Sequence, residues 1–391
     1  MQNTPANDSQ ELEDDIFGAS TYEAPKPQKK DFSPWHKPRK QYVRHHQWCI
    51  QIEKLLNDMQ PDGNTLKYLG LPGNDLLDLR YFQSQICQPR QMGLRFLGFN
   101  KSAGPNNAAQ TELNISLDEV KKLPLIDPRS IIIWDNFSLL SNDRSKAWHE
   151  ARSFGPYDVI NLDLCDGFGA DEPGSLADTH YNAVNRLLGL QAKNKLPWLL
   201  FLTTRTRKQD IHTEVLQRLV GKYAQNLIDC ATFKDASAQA FSIIDAAGLE
   251  SATETPEGHL VVFLAGLCKW IFGLAVQPPP SKVELKSVIG YRIDSEAAHD
   301  DIVSLALRFE PTIAPIEDRL GLANLTYVSP TECDLSTKAL KRLVNRKSAD
   351  QILAADATLH GEMVAATKTL LALARYDPDA YQTWLQGTSP S

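Results

Sequence analysis

Short apolar runs alternate with helical patterns through the first half of the chain. Thr65–Leu71, Leu94–Asn100, Ser130–Trp134, Asp158–Asp163 and Pro197–Thr203 read as strands. Between them, Asp75–Ile86, Leu117–Leu123, Arg144–Arg152 and Leu176–Lys193 carry helical patterns, and Ile211–Leu227 follows the fifth run. A helix is predicted ahead of the first strand, over Pro38–Met59, with Tyr42, Val43, Ile50, Ile52, Leu55 and Leu56 among its apolar positions. Such alternation predicts βαβ units on a parallel sheet, and five strands by residue 203 predict a doubly wound α/β fold.

The second half reads differently. Ala238–Ala247 is predicted helical, Leu260–Val276 reads as a helix or as a strand plus a helix, and Gln277-Pro278-Pro279-Pro280 is a hard break. Val283–Ile293 and Asp301–Phe309 then form two strands in hairpin order around a turn at Asp294–Asp300. From Ser336 the chain is helical. The organisation expected is a disordered tail over 1–30, a doubly wound domain over 31–310 with a helical insertion, and a helical extension over 311–391. Leu260–Val276, interrupted by Lys269, sits at the short end of the ~17–25 residues that span a bilayer. Gly266 and Gly273 favour reading it as a core helix.

Composition adds one asymmetry. The 391 residues carry 41 Lys and Arg against 48 Asp and Glu, a net charge of −7, which excludes a uniformly basic nucleic-acid binder. Residues 1–25 nevertheless sum to −6 and residues 26–54 to +6. Trp35–Trp48 mixes Lys37, Arg39, Lys40, Arg44 and His45 with aromatics, which suits phosphate contact and base stacking or an ordinary solvated helix face. In the first reading, the acidic tail covers the basic surface when no ligand is bound. The six cysteines are scattered, with no C-x-x-C pair and no close Cys/His cluster. Neither a zinc site nor a disulfide framework is expected, and reduced thiols in a cytoplasmic protein are. The acidic N-terminus is unlike a secretory signal.

In an open parallel sheet, ligands bind beyond the carboxyl ends of the strands. After the first strand, Gly70, Pro72, Gly73 and Asp75 offer close backbone approach to a nucleotide, or a turn with Asp75 as helix cap. Asn100, after the second, takes the place of a ribose-binding acid and accepts more weakly than a carboxylate. Asp135, after the third, suits an adenine amino group or a cap. Asp163 and Asp166 emerge after the fourth, followed by Gly167-Phe168-Gly169, and could hold an amine beside a stacked base, bind a divalent cation, or cap a loop.

This order of features resembles the class I S-adenosylmethionine-dependent methyltransferase family over residues 35–310. Leu69–Asp75 matches its glycine loop, Asn100 its second motif and Asp135 its adenine-side acid. Asp163-Leu164-Cys165-Asp166-Gly167-Phe168-Gly169 is similar to the Asp-Leu-Asp-Pro-Phe-Gly motif of guanosine-N2 tRNA methyltransferases and three-cysteine-motif partner proteins. The resemblance implies S-adenosylmethionine on Gly70, Pro72, Gly73, Asp75, Asn100 and Asp135. It implies a target amine on Asp163, with Asp166 alongside and Phe168 against the base, and a nucleic-acid substrate. The departures are Gly-Leu-Pro-Gly in place of Gly-x-Gly-x-Gly, Asn100 in place of the acid, and no proline after Asp163. They admit a non-catalytic adaptor of the same fold. Such an adaptor would dock protein partners through Ser336–Gln386 and the charge-split N-terminus, as degenerate methyltransferase folds do in bacterial phage-defence and DNA-modification systems. A metal-dependent nuclease built on Asp135, Asp163 and Asp166 is a third reading.

Overall fold

The computed structural model describes residues 28–101, 108–164, 166–173, 178–294, 297, 299–312 and 330–387. Most of the tail expected over 1–30, the loop expected around Gly104 and Cys165 lie outside them.

Helix α1 (Pro38–Val43) runs through a π-helical stretch (Arg44–Cys49) into α2 (Ile50–Asp58). The alternating half follows as β1 (Thr65–Gly70), α3 (Leu77–Phe82), β2 (Gly93–Phe99), α4 (Ala108–Lys121), β3 (Ile131–Ile133), α5 (Lys146–Phe154), β4 (Val159–Asp163), α6 (His180–Gln191), β5 (Trp198–Arg205) and α7 (Thr213–Asp229). The helical insertion is α8 (Ala231–Phe241), α9 (Ala246–Thr253) and α10 (Pro256–Ala275). The chain closes with β6 (Ser281–Tyr291), β7 (Ile302–Pro311), α11 (Glu332–Val344), β8 (Lys347–Ser348), α12 (Ala349–Ala355), α13 (Ala357–Leu373) and α14 (Pro378–Gly387).

The fold is α/β, with one eight-stranded sheet in the order β3-β2-β1-β4-β5-β7-β6-β8. Strands β1 to β5 are mutually parallel, and β7 runs antiparallel to both β5 and β6. The order reverses between β1 and β4, so the switch-point crevice lies beyond Gly70 and Asp163.

Strand side chains alternate between two cores. Leu69, Leu200 and Leu202 join the layer under α5–α11, while Leu66, Tyr68 and Phe201 join the layer under α1–α4 and α12–α14. Both faces are covered, which explains why the strands read as continuous apolar runs. Helix α10 is long and apolar enough to cross a membrane, but 78% of its most apolar window is buried within the protein.

Two expectations are corrected. The helix read over Ala238–Ala247 is split: α8 ends at Phe241, where Ser242 turns left-handed at φ 57°, and Asp245 caps α9. Cys230 and Cys333 are joined as a disulfide, with Cα atoms 5.7 Å apart. Their separation of 103 residues left no spacing signal in the sequence.

Candidate functional site

Every strand end singled out from the sequence borders the carboxyl edge of the sheet, but the chain itself fills the crevice at its centre. Lys40, from α1, is buried and donates to Asp163 Oδ2 at 2.6 Å and to the Tyr291 hydroxyl at 3.1 Å. Its ammonium lies 4.7 Å from the Trp48 ring centroid and 5.5 Å from that of Tyr291. Burial opposes the charged form, but Asp163 and Tyr291 outweigh it and hold the Lys40 ammonium above the ordinary lysine range. Burial, in turn, pushes the Tyr291 hydroxyl up to about 12.

The glycine loop is also engaged. A Cβ at Gly70 would stand 2.6 Å from the Tyr68 hydroxyl, so glycine lets Tyr68 fold back over the end of its own strand. Pro72 packs on Gly98, where a Cβ would meet its ring at 2.9 Å. Gly73 has open space about it. Asp75 is not a cap: α3 begins two residues later, and Leu76, at φ 52°, precedes it. Instead Asp75 accepts from Lys29 Nζ at 2.5 Å and from the Tyr376 hydroxyl at 2.9 Å, tying the loop to the C-terminal helices. Asn100 is buried, and its Nδ2 donates to Pro72 O and Asn74 Oδ1, each at 3.0 Å.

The remaining strand ends are more open. Asp135 is half-buried and accepts from the Asn136 amide at 2.9 Å, beside Trp134, which is 43% exposed. Asp166 pairs with Lys101 at the surface. Phe168 does not face the crevice. It is buried against Trp270 and Tyr181, and its amide donates to Thr204 Oγ1. Asp163, Asp166 and Asp135 do not gather as a metal site, and among the described residues no three His, Cys, Asp or Glu side chains do.

The basic segment turns its cations inward. Arg39 pairs with Asp350 at 2.9 Å and Arg44 with Asp78 at 2.6 Å, and Lys40 is held as above. His45 Nδ1 meets the Tyr81 hydroxyl at 2.9 Å, and Lys37 is half-buried. The cations of the expected phosphate-facing surface are therefore largely spent on an internal ion-pair layer. The C-terminal helices turn Leu335, Leu340, Leu343, Met363, Leu371 and Tyr381 inward, while Val344 and Leu373, at two helix ends, are exposed.

Open volume lies to one side of this plug. A cavity of about 480 Å³ opens beyond β5 and the β6–β7 turn, lined by Arg207, Lys208, His259, Asp294 and Asp301 among others. A second, of about 380 Å³, adjoins Asp166, Arg205, Gln209 and His212.

Sequence reasoning missed Tyr68, Asp78, Tyr291 and Asp350. Tyr291 was within reach, because it ends a strand that runs parallel to β5. Asp350 had no signal, since its place depends on how α12 docks.

No curated protein matches the chain. A family model described as PP_RS20740-like matches residues 29–386, and the chain belongs to that family.

Proposed function

We propose that this chain is a methyltransferase-fold protein that does not transfer methyl groups and serves as a non-catalytic partner protein. One observation carries the reading: the Lys40 ammonium sits on Asp163, flanked by Trp48 and Tyr291. That is the carboxylate on which the family resemblance implies a target amine, and an amine of the chain itself holds it. Tyr68 over Gly70, and Lys29 and Tyr376 on Asp75, support the same reading on the cofactor side. The experiment is isothermal titration of the purified chain with S-adenosylmethionine, together with solution mass alone and mixed with the products of neighbouring genes. No saturation at millimolar cofactor and a heavier complex with one such product are expected. Micromolar cofactor binding, or a strict monomer in every mixture, overturns it.

A cofactor-binding reading, with S-adenosylmethionine and a nucleic-acid substrate, is favoured by one feature. Trp134 and Asp135 form an accessible aromatic and acidic edge after β3, where adenine would be held. The same titration decides between the two. Trp134→Ala would abolish binding under the second reading and change nothing under the first.

A further inference from the structure

We propose that Cys230 and Cys333 form a redox-active pair that exchanges electrons with dithiol reductants, rather than an inert staple. Cys230 caps the N-terminus of α8, and the Phe233 amide donates to its Sγ at 3.3 Å. Cys333 is the second residue of α11. Two helix N-termini thus converge on one disulfide. The Thr232 hydroxyl stands 3.4 Å from Cys230 Sγ and 3.7 Å from Cys333 Sγ and can donate to either, while the Thr337 hydroxyl, 3.7 Å from Cys230 Sγ, donates to the Cys333 carbonyl.

The Phe233 amide, the Thr232 hydroxyl and the two helix dipoles favour thiolates over thiols, which stabilises the reduced form. The adjacent Glu332 carboxylate would oppose a thiolate, but Lys269 Nζ neutralises it at 2.5 Å. Cys230 is buried and Cys333 only partly so, which makes Cys333 the more accessible partner for a reductant. Cys49, Cys87 and Cys268 are free and buried.

The exchange balances as follows. A reductant thiolate attacks Cys333 Sγ, the S–S bond breaks, and Cys230 leaves as a thiolate into its cap. The second reductant thiol attacks the mixed disulfide and releases Cys333. Two electrons pass to the pair, the reductant becomes a disulfide, and its two protons go to solvent or to the new thiolates. Reduction unties α11 from the α7–α8 corner, and in a reducing cytoplasm the open form is the resting one.

The test uses the full chain, equilibrated without denaturant in graded mixtures of reduced and oxidised glutathione, then alkylated and read by mass spectrometry. Reversible opening and closing with unchanged circular dichroism is expected. Thr232→Val, at an exposed position, should shift the equilibrium about fivefold toward the disulfide by removing a donor to the thiolates. A bond that resists glutathione until the protein unfolds overturns the proposal. So does a pair that never oxidises, or a Thr232→Val protein with unchanged equilibrium.

Discussion

Lys40 and Asp163, 123 residues apart in the chain, meet at 2.6 Å and join the helix before the sheet to the carboxyl end of its fourth strand. The two partners are buried unequally: the lysine side chain is 4% exposed and the aspartate 24%. Removing one partner of a buried pair leaves an uncompensated charge, at a cost of about 3–5 kcal/mol. Asp163→Asn strands the deeper charge and should cost that amount. Lys40→Met strands a carboxylate that water reaches, and should cost about 2 kcal/mol. Urea denaturation of both variants checks the order, and a larger loss for Lys40→Met would contradict this account.

The sheet was legible because its strands are short apolar runs between amphipathic helices, and all seven longer strands lie within two residues of their expected positions. The two-residue β8 was not legible. It pairs with β6 only because α11 delivers it there. At the site, strand ends located Asp163, Asp135 and Asn100 from chain order alone. Charge counting misled on Arg39, Lys40 and Arg44, because a cation's partner is decided by long-range packing. Asp350, Asp163 and Asp78 come from three different elements.

His36 makes the fold acid-sensitive. Burial, against the weaker pull of Asp75, lowers its pKa from 6.5 to about 4, and its Nδ1 accepts the Ser33 amide. The folded state therefore binds the proton less well than the unfolded chain. The contribution is fully present above about 6.5, declines as pH falls, and is fully lost below about 4. Over that window it amounts to about 3 kcal/mol. Asp158 runs the other way, since burial raises its pKa to about 6, so its stabilisation is lost as pH rises toward neutrality. Comparing His36→Gln with the parent isolates the first effect: the loss between pH 7 and pH 5 should shrink by about 2 kcal/mol. Parallel stability curves for the two proteins would rule it out.

The Cys230–Cys333 bond closes a loop spanning 103 positions of sequence. Chain entropy alone gives about 4.7 kcal/mol for a loop near 100 residues, and measured bonds typically deliver about 2–4. The groups that stabilise the reduced pair offset part of that gain, so the oxidised protein should unfold at higher urea than the reduced one by only about 1 kcal/mol. A Cys230→Ser/Cys333→Ser protein should behave like the reduced parent and ignore reductant. Coincident transitions for oxidised and reduced parent would refute the cross-link's role.

Two glycines of α10 separate helix propensity from packing. Replacing an interior helix glycine with alanine gains about 0.8–1 kcal/mol wherever the methyl fits. At Gly273 nothing lies within 4 Å of the added Cβ, so Gly273→Ala should stabilise the protein by nearly that much. At Gly266 the Cβ would stand 2.3 Å from the Leu219 carbonyl oxygen and 2.8 Å from its carbon. Those are backbone atoms of α7, which cannot swing aside as a side-chain tip can, so the two helices must part. Overpacking of that kind costs about 1–3 kcal/mol or more and exceeds the propensity gain. Gly266→Ala should therefore destabilise, while its neighbour seven residues on, two turns along the same helix, does the opposite. Thermal denaturation of the two variants reads both signs directly, and a stabilised Gly266→Ala protein would show that α7 and α10 do not pack this closely.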